Sequence, residues 1–157
     1  MPGKRQDVLY QAQAILSRRD HSTAEVKAKL KRKAFTEKEI AKAIGFLQEK
    51  KLLDDARFAK AYAESILRAK LVGPRYLQAK LKQKGVGEGI IRETLVEVRG
   101  READLAEQAM QQWKKSHPST SSGQVPKHKQ KQRLFRFLAS RGFTHDAISA
   151  IMDIYES

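Results

Sequence analysis

Three stretches of this chain align with one another without a gap. They are AEVKAKLKRKAFTEKEIAKAIGFL from Ala24, RYLQAKLKQKGVGEGIIRETLVEV from Arg75 and QRLFRFLASRGFTHDAISAIMDIY from Gln132. Internal repetition decides the architecture before any single motif is read. Five matched columns are apolar throughout: Val26/Leu77/Leu134, Leu30/Leu81/Leu138, Phe35/Val86/Phe143, Ile40/Ile91/Ile148 and Ile44/Leu95/Met152. Within each copy the first two columns are four residues apart, as are the last two, so each pair shares one face of a helix.

Between the two helices runs a corner column, Ala34/Gly85/Gly142, followed by an apolar residue and then Thr36/Gly87/Thr144. A glycine just past a helix end accommodates a left-handed stop, and Thr or Gly then caps the next helix. Ser22 with Glu25 and Thr36 with Glu39 fit capping boxes, and Gly73-Pro74 fits an N-cap followed by a first helical residue. A further amphipathic stretch precedes each pair: Leu9, Ala12, Ile15 and Leu16, then Phe58, Tyr62, Ile66 and Leu67, then Leu105, Ala109, Met110 and Trp113. Each unit therefore has three helices.

The expected fold is all-α, with three tandem three-helix repeats forming an elongated, curved array. The repeats are expected at 1–53, 54–99 and 100–157, with helices near 6–19, 22–33, 37–50, 55–70, 74–84, 88–98, 102–116, 127–141 and 145–155. The low-complexity stretch Ser116–Pro126 reads as a mobile loop within the third repeat. Tyr62 and Trp113 fall on apolar helix faces and are expected in the core.

The formal charge is +14, spread along the chain and interleaved with the apolar periodicity. Such an excess on folded helices implies a polyanionic or acidic partner. One basic stripe recurs: Lys29 and Lys33 in the first repeat, Lys80 and Lys84 in the second, and Arg141 in the third. A second stripe, Lys27 and Lys31, is echoed only by Lys82. The third repeat adds a denser patch of Lys127, Lys129, Lys131, Arg133 and Arg136. These ten residues of the first stripe and the patch are the candidate binding residues, acting through charge. Reversing Lys80 and Lys84 is expected to weaken binding while leaving helicity intact.

Catalysis finds little support. There is no cysteine, which excludes thiolate chemistry and Cys-based zinc sites. His21, His117, His128 and His145 are widely spaced, with no HxxxH, so neither a metal nor another cofactor is expected. GVGEG, from Gly85, follows a helix rather than a strand and is a helix corner. Asp54 and Asp55 suit helix capping better than an acid pair. No apolar run approaches a membrane span, and MPGKRQDVLY has no signal-peptide core, so the cytoplasm is the expected location.

LLDDARFAKAYAESILRAKLVGPRYLQAKLKQKGV, from Leu52, resembles the Leu-Asp-Asp, Phe-Ala, Gly-Pro and Lys-Gly-Val/Ile pattern of the RecX family, bacterial regulators of the RecA recombinase. RFLASRGFTHDAISAIM, from Arg136, is similar to that family's closing pattern, and RDHSTAEVKAKL, from Arg19, resembles its opening repeat. The resemblance implies no enzymatic activity. It implies binding to RecA and the RecA–DNA filament, with inhibition of recombinase, ATPase and coprotease functions; the chain is expected to be a monomer. The alternative reading is a sequence-nonspecific DNA-binding module. Base readers place Asn, Gln or Arg at the exposed start of a recognition helix, whereas lysine prevails here, which suits phosphate contact.

Overall fold

A computed structural model of the chain describes residues 7–118 and 125–156. Among the described residues there are nine α-helices and no strand: α1 (Val8–Arg18), α2 (Thr23–Arg32), α3 (Glu37–Glu49), α4 (Asp55–Ala69), α5 (Pro74–Gln83), α6 (Glu88–Gly100), α7 (Glu102–Ser116), α8 (Lys127–Ser140) and α9 (His145–Glu156). Each matches a helix expected from the periodicity to within two residues. The mobile loop assigned to Ser116–Pro126 falls largely on 119–124, outside the described residues.

The caps explain this agreement. Ser22 and Thr36 each accept from the backbone N–H three residues on, and Glu25 and Glu39 reach back to the cap N–H, which completes both capping boxes. Asp54 Oδ1 accepts from Arg57 N–H at 3.1 Å, so Asp54 caps α4. Asp55 does something else: it accepts from the Thr23 N–H at 2.7 Å, at the start of α2.

The three corners share one geometry. Ala34, Gly85 and Gly142 have φ of 65°, 76° and 80°. In each, the following apolar residue donates back five positions: Phe35 to Leu30, Val86 to Leu81 and Phe143 to Leu138. The corner residue itself donates to Lys31, Lys82 or Ala139 three positions back. These are Schellman stops. A fourth lies at the end of α3, where Lys51 has φ 56° and Leu52 donates to Leu47 at 2.9 Å. No glycine advertises that turn in the sequence.

By packing, the chain divides into two compact units: Met1–Tyr62 with Leu81–Ile91, and Ala63–Lys80 with Arg92–Ser157. The residues of the middle repeat are thus shared between the units. In the first unit α1, α2 and α3 pack on one another around Ala12, Ile15, Val26, Leu30, Ile40, Ile44, Leu47 and Leu53. In the second, α7, α8 and α9 pack mutually, burying Leu105, Met110, Trp113, Leu134, Leu138, Phe143, Ile148 and Ile151. The first, second, fourth and fifth repeat columns are buried in every copy, and Phe35 alone in the third column is only partly so. Each fully buried Leu contributes about 1.5–3 kcal/mol relative to exposure. Tyr62 differs from expectation: it is half-buried, stacked on Phe58 with ring centroids 5.5 Å apart and with Lys84 Nζ over its ring.

Candidate binding surface

The recurring basic column sits at the C-cap of each unit's second helix, and its surroundings differ from copy to copy. In the second copy, within the first unit, Ser22 Oγ donates to the Lys84 carbonyl. Lys84 Nζ lies 3.3 Å from Glu25 Oε2 and 5.4 Å from the Tyr62 ring centroid. Beside it, a Cβ on Gly85 would overlap the Ala24 side chain. In the third copy, within the second unit, the Arg141 carbonyl accepts from Gly73 N–H at 2.8 Å, and the Gly142 carbonyl from Arg75 N–H at 3.0 Å. A Cβ on Gly142 would overlap the Tyr76 backbone, and one on Gly73 the Gly142 carbonyl. Ser22 and Gly73 occupy one repeat column, so the same clasp is made twice. It joins the start of one repeat's second helix to the corner of the next.

Lys84 and Arg141 therefore serve the fold, Arg141 also lying 5.0 Å over Phe137. Lys80 stands over Tyr76 at 5.5 Å, with Lys70 at 5.9 Å from the same ring. A carboxylate placed at Lys84 by reversal would face Glu25.

Glu25 is the hub. Burial works to raise its pKa, but Arg19 at 2.8 Å, the Ser22 N–H at 3.1 Å and Lys84 outweigh it and lower the value from 4.5 to about 2. The same pairing raises Arg19. His21, buried beside it, has its pKa lowered by desolvation, and the charges of Arg19 and Lys29 act the same way. Its tautomer follows from its partners. The Arg19 carbonyl can only accept, so Nδ1 carries the proton (2.8 Å), and Nε2 accepts from Lys29 Nζ at 2.7 Å.

Both carboxyl and imidazole have folded pKa values below their unfolded ones. Their stabilisation is present above the unfolded pKa and is lost as pH falls through the folded one. Denaturant unfolding should therefore show stability declining below about pH 6.5 as His21 protonates in the unfolded chain. A further loss on the order of 2 kcal/mol should follow between about pH 4.5 and 2, allowing for screening around exposed Arg19. Glu25→Gln should flatten that lower segment; an unchanged slope would contradict the assignment.

In the first copy no such clasp is made at Lys33 among the described residues. Lys33 is exposed and, with Lys29 and Arg32 of α2, faces Arg18 of α1 across a groove floored by Ala14 and Ile15. Among the described residues, no acid pairs with any of these four bases. The sequence did not single out Arg18 and Arg32. Arg32 neighbours the column on α2, and Arg18 lies in the first helix, outside the aligned segments, where no repeat signal reports it. Lys27 and Lys31 line a separate depression with Ala28, Ile40 and Glu37.

The third-repeat patch is split by the structure. Lys131 pairs with Glu156 on α9. Lys127, Lys129, Arg133 and Arg136 are exposed, and Lys129, Arg133 and Arg136, at i, i+4 and i+7, share one face of α8. Lys127 and Lys129 occupy the first turn of α8, with no acid and no side-chain cap there. Cations at that end oppose the helix dipole by about 0.3–1 kcal/mol each.

Models of three RecX domains match the chain, the first three-helix domain over 11–47, the second over 54–95 and the third over 102–152. A protein of Chlorobaculum tepidum named Regulatory protein RecX is 34% identical over 146 residues, covering 93% of this chain and 86% of its own. One of that name from Prosthecochloris aestuarii is 35% identical over 145 residues, covering 92% and 91%. Among solved structures, RecX from Lactobacillus salivarius superposes with a TM-score of 0.75 at 22% identity, covering 95% of this chain and 94% of that one. Another structure described as regulatory protein RecX gives 0.80 at 22% identity, covering 93% and 70%. At that identity these two establish the fold alone.

Proposed function

The chain belongs to the RecX family, and from that premise we propose that it binds RecA and the RecA–DNA filament. In doing so it inhibits recombinase, ATPase and coprotease activities, and so modulates recombination, DNA repair and the SOS response. The observation that carries this reading is the match of all three domain models in order along the chain. Relatives named as regulatory proteins, not enzymes, support a role in binding without catalysis. No helix among the described residues is long and apolar enough to cross a membrane, and we place the protein in the cytoplasm with RecA, as a monomer of three repeats spanning 1–53, 54–99 and 100–157.

Repetition suits the task. Contacts that are individually weak gain avidity when one chain makes several of them on a repeating target. The candidate contact residues are those of the stripe and the third-repeat patch whose side chains are exposed, Lys33, Lys127, Lys129, Arg133 and Arg136. Lys84 and Lys131 take part while also paired with Glu25 and Glu156, and Lys29, Lys80 and Arg141 while also contacting the uncharged His21, Tyr76 and Phe137 rings. Sedimentation of RecA filaments formed on single-stranded DNA tests the reading: the chain should pellet with the filament and slow strand exchange. A chain left in the supernatant, with exchange at its normal rate, would refute it.

A further inference from the structure

We infer that the groove between α1 and α2 is a nucleic-acid backbone site, at which Arg18, Lys29, Arg32 and Lys33 hold the phosphodiesters of a single strand without reading its sequence. The inference deepens the proposed role of binding RecA–DNA filaments and rests on that reading for its biological setting, but its chemistry comes from the groove alone.

Position is the first argument. Lys29 and Arg32 of α2 and Lys33 at its C-cap are at i, i+3 and i+4 and so project from one face, about 5–6 Å apart at Cβ. Arg18 approaches from α1 on the other wall. A strand lying between them meets cations from both sides at a spacing comparable to that of successive phosphates.

Charge is the second. In the matching column of the middle repeat, Lys84 is neutralised by Glu25 and spread over Tyr62. In the first repeat the bases keep their charge for an external ligand. Concave cationic surfaces focus the field and concentrate counter-ions. Lys29 is also pre-positioned: His21 Nε2 accepts one of its protons at 2.7 Å, fixing a half-buried ammonium that would otherwise sample many rotamers.

The lining then selects the ligand. The floor is Ala14 and Ile15, with no aromatic ring, so there is no platform on which bases stack. It also lacks a deep apolar pocket to anchor a side chain of an acidic peptide. What remains is recognition of a linear array of phosphates, which is independent of sequence and steeply dependent on salt.

The test is fluorescence anisotropy of a labelled mixed-sequence 20-mer of single-stranded DNA with the full chain, at two salt concentrations. Arg18 and Arg32 are exposed and unpaired among the described residues, so Arg18→Gln/Arg32→Gln should fold normally, as circular dichroism will verify. It should weaken binding about tenfold and lower the log–log salt slope by about 1.4, the loss of two phosphate contacts on a single strand. Arg92→Gln/Arg101→Gln, also exposed, should change affinity less than twofold. Equal losses from both pairs would overturn the assignment, as would binding of a poly-glutamate peptide of matched charge as tightly as DNA. The same groove variant is assayed on RecA. Lost inhibition with unchanged oligonucleotide affinity refutes the phosphate site and leaves the regulatory reading standing. A wild-type chain that binds DNA through the groove yet leaves RecA unaffected does the reverse.

Discussion

Gly142→Ala should destabilise the protein by roughly 3 kcal/mol, whereas Ala34→Gly, at the same repeat position, should be neutral or stabilise it by up to about 1 kcal/mol. Both residues are left-handed, with φ of 80° and 65°, so both substitutions change the same turn. A non-glycine residue there costs about 1–2 kcal/mol, a penalty that Gly142→Ala introduces and Ala34→Gly removes, less the greater chain entropy of glycine. The difference lies in the neighbours. A methyl on Gly142 would overlap the backbone of Tyr76 and force apart the bonds from Gly73 to Arg141 and from Arg75 to Gly142. Ala34 is exposed, so a change there meets no packed neighbour. Equilibrium unfolding in urea of the two variants decides it: equal and opposite shifts would mean that the turn alone matters and the clasp contributes nothing.

A comparable contrast is expected along the basic column. Lys84→Glu should cost about 2–4 kcal/mol, because it replaces an ion pair with a carboxylate facing the largely buried Glu25 and removes the cation from Tyr62. Lys33→Glu, on an exposed and unpaired side chain, should stay within about 0.5 kcal/mol. Thermal unfolding of both variants checks this. Similar midpoints would show that the Glu25 hub does not hold the Ser22–Lys84 clasp together. The outcome also governs how binding data are read, since loss of function at Lys84 reports folding as well as contact, whereas at Lys33 it reports contact.

Much of this was legible in the sequence because the repeat carries redundant signals. Apolar columns, capping boxes and corner glycines independently mark the same helix ends, and the nine helices fall where those signals agree. What escaped notice has a physical reason. Lys51 takes a left-handed turn without a glycine, since the bonds from Lys51 and Leu52 back onto α3 outweigh the local strain. Ser22 and Gly73 read as ordinary caps, yet each also docks the next repeat's corner, a contact made between residues more than sixty apart and invisible to any local pattern.

The basic stripe shows the same limit. Lys33, Lys84 and Arg141 share a column, and the sequence offers one meaning for all three. The structure distinguishes them by what lies opposite: Glu25 and Tyr62 for Lys84, Phe137 for Arg141, and a groove with Arg18 for Lys33. The third repeat also departs from the pattern. There α8 begins at Lys127, four residues before the position aligned with the starts of α2 and α5, so the docking end used at Ser22 and Gly73 lies inside a helix. Among the described residues the clasp is made at Ser22 and at Gly73.

The regulatory role is tested most directly by titrating the full chain into RecA filaments on single-stranded DNA and following ATP hydrolysis. The account predicts a dose-dependent fall to a low plateau, reached with the folded wild type and with Ala34→Gly. Hydrolysis that stays at its starting rate when the filament is saturated with the chain would contradict it.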